Sequence, residues 1–171
     1  MNQNFDKCMS MLLKHEGGFV DGNKIGDSGG LTNLGMTKAV YDEFHGTDVT
    51  EDEMRNLTKA DVEPIYRRNY WDRCKCHDLP SGLDWAVFDF AVNSGTGRAA
   101  KALQKAVEAT EDGSIGPLTL MKVKHFEVDN IINRIAIYRE QFYRSLRNFD
   151  TFGRGWIRRN DETRQQALAM G

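Results

Sequence analysis

Several kinds of feature are missing from this 171-residue chain, and each absence excludes something. No apolar run approaches the ~20 residues that a membrane-spanning helix needs. The opening residues, Met1 to Lys7, lack the basic-then-apolar layout of a secretory signal, so the expectation is synthesis and retention in the cytoplasm. Net charge is only -2, which gives no electrostatic case for nucleic acid or an anionic membrane as partner. Cysteine is scarce and odd in number (Cys8, Cys74 and Cys76), which argues against a disulfide framework and for a reducing compartment. Proline is scarcer than average, and no stretch rich in Pro, Gly or Ser reads as a linker, so a single domain over residues 1–171 is expected. Neither a Gly-x-Ser-x-Gly nucleophile elbow nor a phosphate-cradling Gly-x-x-x-x-Gly-Lys-Ser/Thr loop occurs. The cluster Cys74-Lys75-Cys76-His77 invites a zinc reading, but no second pair of ligands lies nearby. Free thiols, no metal and no cofactor are therefore expected.

What is present is mostly helical patterning. Phe5, Cys8, Met9, Leu12 and Leu13 recur at helical spacing, and Gly17-Gly18 supply a stop. Five glycines between positions 22 and 35 then mark tight turns, with short β segments around Phe19-Val20 and Leu31 to Met36 forming a small hairpin. Thr50 to Glu53 is a capping box, and Thr58 to Asp61 is its variant with Asp in place of Glu, opening a helix that leads to Trp71. Pro80 opens a helix that is apolar nearly all round, from Leu83 to Val92, and should be the buried centre. Further helices are expected over about 98–109, from Pro117, from Phe126 to Leu146 and from Trp156 to Met170. Arginines gather late, at Arg154, Arg158, Arg159 and Arg164, as a solvated face that could also meet an acidic cell-wall polymer.

Glu16 is the most informative residue. It follows Leu12 and Leu13 by four and three positions, on the face of the apolar stripe. It also stands at the negative end of the helix dipole. Both surroundings favour a carboxyl that keeps its proton, as a glycosidase general acid must. The glycines after it leave the backbone bare, so a bulky polysaccharide can approach. The alternative is an ordinary surface glutamate before a glycine cap, and the pattern alone does not choose.

The run His15-Glu16-Gly17-Gly18-Phe19-Val20, followed by Gly29-Gly30-Leu31-Thr32-Asn33-Leu34-Gly35-Met36-Thr37, resembles the signature of glycoside hydrolase family 108. The likeness continues through Ile65 to Trp71, Leu79 to Leu83 and Val87 to Gly95. Beyond residue 95, Leu103-Gln104, Asp112 to Pro117, Thr119-Leu120 and Gly155 to Arg159 are similar to the peptidoglycan-binding region associated with that family. The resemblance implies a mainly α, lysozyme-like fold with the small hairpin after the first helix. Its 1–95 part would be catalytic and its 96–171 part helical and peptidoglycan-binding. It implies an N-acetylmuramidase of the phage-endolysin type that cuts bacterial peptidoglycan, with Glu16 as catalytic acid. One departure stands out: the family's Asp-Pro-x-Asp-Pro-Gly-Gly loop is here Asp21 to Gly30, longer and without prolines.

The second catalytic group stays open between Asp27 and a water held by Thr32, with Asp21 third. Asp27 reads equally as a turn aspartate bonding its own backbone. Asp89 and Asn93 are an i, i+4 pair on the central helix; Asp89 is expected to brace the fold, against an arginine such as Arg139, and Asn93 to touch substrate. Trp71 offers a flat face for a sugar, although an aromatic at helical spacing is more often core. Two other functions compete: a non-catalytic peptidoglycan-binding module, and a zinc amidase using His77 and the cysteines. A monomer is expected, stored in the host bacterial cytoplasm until a holin or another helper releases it to the wall.

Overall fold

The computed structural model describes residues 2–22 and 30–171. Within them the chain is mainly helical, with a three-stranded antiparallel sheet after the first helix, a lysozyme-like arrangement. It gathers into two compact units, Phe5–Asn69 and Met1–Asn4 with Tyr70–Gly171. The compact units meet in the sequence at Asn69, because the central helix packs with the helices that follow it. No helix among the described residues is long and apolar enough to cross a membrane.

In the first unit, α1 (Asn2–His15) enters from the chain start and buries Phe5, Cys8, Met9 and Leu12 along its apolar stripe. The expected hairpin is a three-stranded meander of β1 (Val20–Asp21), β2 (Leu31–Asn33) and β3 (Met36–Thr37). Thr32 pairs with Val20 on one side and Thr37 on the other. Leu34 and Gly35 form the β2–β3 turn with φ of 51° and 72°. Two successive positive φ values are those of a type I′ turn, whose twist matches the strands it joins. The sheet is pinned by buried Asn33, whose amide donates to the carbonyls of Met54 (2.9 Å) and Arg55 (3.2 Å).

Both helix starts read from the sequence are present. Thr50 and Glu53 close a reciprocal capping box on α3 (Glu51–Arg55), which follows α2 (Lys38–His45). On α4 (Lys59–Tyr66), Asp61 accepts from both the backbone N–H and the hydroxyl of Thr58. The helix does not run unbroken to Trp71. Pro64 lies inside it and removes a backbone donor, and the chain widens into a π-helix over Arg67–Trp71.

In the second unit, a short 3-10 turn (Cys76–Asp78) precedes α5 (Leu83–Ser94). The helix starts three residues after Pro80 because Gly82 takes φ of 86°, a conformation outside the helix. A side chain there would strike the carbonyl of Ala167, so glycine is also what lets the two segments meet. Asp84 fixes this start by accepting the N–H groups of Gly82 (2.8 Å) and Trp85 (2.7 Å), and Asn4 donates to its other oxygen. α5 packs against α6 (Thr96–Ala106), α8 (Val128–Arg144) and α9 (Phe149–Leu168), and α7 (Pro117–Val123) lies between α6 and α8 in the chain. Buried Gln104 ties the Asp112–Gly113 turn to α6 and α7 through Asp112, Gly113 and Thr119. α9 begins seven residues before Trp156, its expected start: Gly153 and Gly155 lie inside it, and the Phe149 ring occupies the space beside Gly153.

Candidate active site

Glu16 follows the last residue of α1, and its N–H still donates to the Leu12 carbonyl at 3.3 Å. Its side chain is half-buried. Gly17 and Gly18 after it are exposed, and a Cβ on either would meet no atom within 4 Å. The backbone beside the carboxyl is therefore open, as the glycines suggested. Phe19, next in the chain, lies under the Arg55 guanidinium at 4.2 Å, which anchors the segment as it enters the sheet.

The Glu16 carboxylate is directed at the β2–β3 turn. A Cβ on Gly35 would lie 2.6 Å from Glu16 Oε2 and 2.6 Å from the Tyr66 hydroxyl. Thus the carboxylate and the phenol both close on the bare face of Gly35. Tyr66, buried at the end of α4, donates its hydroxyl to the Leu34 carbonyl at 2.9 Å and holds the turn in place. Three elements meet at Glu16: the end of α1, the I′ turn and the end of α4. Neither Gly35 nor Tyr66 was singled out from the sequence. Gly35 was read only as one of five turn glycines, and Tyr66 looked like one more apolar helix position.

Thr32 sits half-exposed in the middle of the central strand. Strand alternation puts it on the opposite face from buried Asn33. Asp21, also half-exposed, pairs with Leu31 at the end of β1. Asp27 lies outside the described residues. Trp71 is 1% exposed and meets Phe88 edge-on at 5.3 Å, the position of a core residue rather than of a platform open to a sugar. Asn93 is half-exposed at the end of α5, where its Oδ1 accepts from Ser94 Oγ (2.7 Å) and from the Tyr143 hydroxyl.

Asp89 is the brace the sequence suggested. It is 0% exposed and bonded by Arg139 (2.7 Å), Arg159 (2.8 Å) and Thr163 (3.0 Å). Burial would raise its pKa, but the two guanidiniums outweigh that and lower it to about 2. Arg159 therefore turns inward, unlike Arg154 and Arg158, which stay exposed. Around Cys74 the chemistry is inert: burial pushes the thiol up to about 12. Among the described residues no three His, Cys, Asp or Glu side chains gather as a metal site, and exposed His77 lies 3.3 Å from Asp78.

The family model described as "Glycosyl hydrolase 108" matches residues 9–95, from α1 through the end of α5. The chain belongs to the glycosyl hydrolase 108 family. Membership makes it a glycoside hydrolase and takes in both Glu16 with its surrounding turn and the Asp89 brace. Among solved structures, Brucella abortus SagA is similar along almost its whole length. The two are 42% identical, with a TM-score of 0.87, and the match covers 99% of this chain and 97% of that one. A search of curated proteins finds no match.

Proposed function

We propose that this glycosyl hydrolase 108 protein is an N-acetylmuramidase that hydrolyses the β-1,4 bond between N-acetylmuramic acid and N-acetylglucosamine in peptidoglycan, with Glu16 as its general acid. The observation that carries the reading is the Glu16 carboxyl, held against Gly35 beside an open Gly17–Gly18 backbone, in a chain of this family. The Glu16 proton passes to the glycosidic oxygen as its bond to the anomeric carbon breaks. A water attacks that carbon, bonds through its oxygen and gives up a proton. Asp27 is proposed as the base that takes this proton; in the alternative, Thr32 holds the attacking water and the proton passes to bulk solvent. No metal or organic cofactor is required by either.

Two cellular settings suit such an enzyme. One is a phage endolysin kept in the host cytoplasm until a holin opens a path to the wall. The other is a bacterial enzyme passed outward by a helper, and similarity to a Brucella protein favours it.

Mass spectrometry of digested peptidoglycan tests the bond assignment. Fragments ending in reducing N-acetylmuramic acid are expected. Free stem-peptide amino termini without new reducing ends would point to an amidase, and sedimentation with the wall without any release would point to a binding module.

A further inference from the structure

A second concave site lies entirely within the Tyr70–Gly171 unit, at the end of α5. It is a cleft of about 350 Å³ whose walls include Asn93, Arg98, Phe142, Tyr143 and Trp156. Among the described residues no acidic side chain lines it. Its volume falls at the small end of ligand sites, suited to one pyranose ring rather than a long segment.

The walls are aromatic and stacked in series. Phe142 lies 5.7 Å from Tyr143, Tyr143 5.4 Å from Trp156, and Trp156 5.9 Å from Phe152, which is 53% exposed. Arg98 covers Phe142 at 3.9 Å and spends a donor on the Ser94 carbonyl, so its charge is shared within the wall. An apolar ring face with a tethered cation is a poor trap for a free anion and a good one for the C–H face of a sugar.

Asn93 supplies the polar end, and its orientation is imposed from the core. Asp89 binds Arg139, Arg139 Nε donates to the Tyr143 hydroxyl at 2.7 Å, and that hydroxyl donates to Asn93 Oδ1. Ser94 Oγ donates to the same oxygen at 2.7 Å. With two donors on its oxygen, the amide is locked with Nδ2 facing away from them. Nδ2 has no bond partner among the described residues, at a half-exposed position on the cleft. A preset pair of N–H donors beside an aromatic wall matches an acetamido sugar.

We propose that this cleft binds an N-acetylhexosamine unit of a glycan, stacked on Trp156 and accepting at its acetamido oxygen from Asn93 Nδ2. The choice of glycan rests on the muramidase reading; the binding chemistry rests on the cleft. Tri-N-acetylchitotriose is the probe, with the full-length Glu16→Gln variant used to prevent turnover. Trp71 and Trp85 are buried, so a saturable change in indole fluorescence on adding the probe is expected to come from Trp156.

By calorimetry, Trp156→Ala is expected to raise Kd about tenfold or more. Asn93→Asp keeps the oxygen that Tyr143 and Ser94 bond but removes both donors, and about the same weakening is expected with the thermal transition retained. If Trp156→Ala does not fold, Asn93→Asp decides alone. Absence of saturable binding, or unchanged affinity in Asn93→Asp, overturns the proposal. Hydrolysis retained by Glu16→Gln would instead refute the assignment of the acid, and leaves the binding result to stand by itself.

Discussion

Glu16 ends α1 half-exposed beside bare glycine backbone, whereas Asp89 sits in the middle of α5 with no exposed surface and two arginines clamped on it. Both are carboxylates near the end or middle of a helix in the family-matched segment, yet they are set up for opposite ends. Asp89 is buried with its charge matched and its oxygens bonded, which fixes its ionisation and removes it from chemistry. Glu16 is met by Gly35 and Tyr66 and followed by the exposed Gly17–Gly18 backbone, the setting from which it is proposed as the acid. Exposure and clamped charge separate the two: Asp89 has no exposed surface and two guanidiniums on it, whereas Glu16 is half-buried beside open backbone.

The sharpest way to break the contrast is to disarm the brace. Asp89→Asn leaves Arg139 and Arg159 without their carboxylate, and a loss of about 3–5 kcal/mol in denaturant unfolding is expected. If that variant unfolds like the parent, the brace reading of Asp89 is wrong. Gly35→Ala acts on the other side. It puts a methyl where Glu16 Oε2 and the Tyr66 hydroxyl now lie, at φ of 72°. The flexible end of Glu16 yields most readily, so activity on peptidoglycan should fall roughly 100-fold from a misplaced acid. Stability should fall by only about 1–2 kcal/mol from the positive φ.

Acid titration comes next. Because the folded-state pKa of Asp89 is lowered from 3.8 to about 2, its contribution is complete above the unfolded value and is lost as pH falls from about 4 to 2. That loss amounts to about 2 kcal/mol, and equilibrium unfolding in this window measures it. Asp89→Asn should show no such slope from this site. The smallest effect concerns Cys74, whose thiol at about 12 should resist alkylation at pH 8 until the chain is unfolded. Fast labelling of the native protein at that residue would contradict its burial.

Much of this was legible from local rules. The Thr50 and Thr58 caps, the apolar α5 and the partnership of Asp89 with Arg139 follow from spacing and from the cost of burying a charge alone. What escaped depended on contacts between segments distant in sequence. The start of α9 was hidden by Gly153 and Gly155, which usually interrupt helices but here make room for Phe149. The start of α5 was set by the meeting of Gly82 with Ala167 rather than by Pro80. The third strand, and the way Gly35 and Tyr66 converge on Glu16, arise from a tight turn packed on a helix end more than thirty residues away. Trp71 showed the limit from the other direction: its residue type suits sugar stacking, and its packing against Phe88 serves the core.

Release of reducing ends from purified peptidoglycan by the parent and by Glu16→Gln tests the central assignment most directly. Gln keeps the shape of the side chain but has no acidic proton to give. Loss of roughly 100- to 10,000-fold in rate with an unchanged thermal transition is the expected result. A Glu16→Gln protein that cuts the glycan at the parent's rate would contradict it.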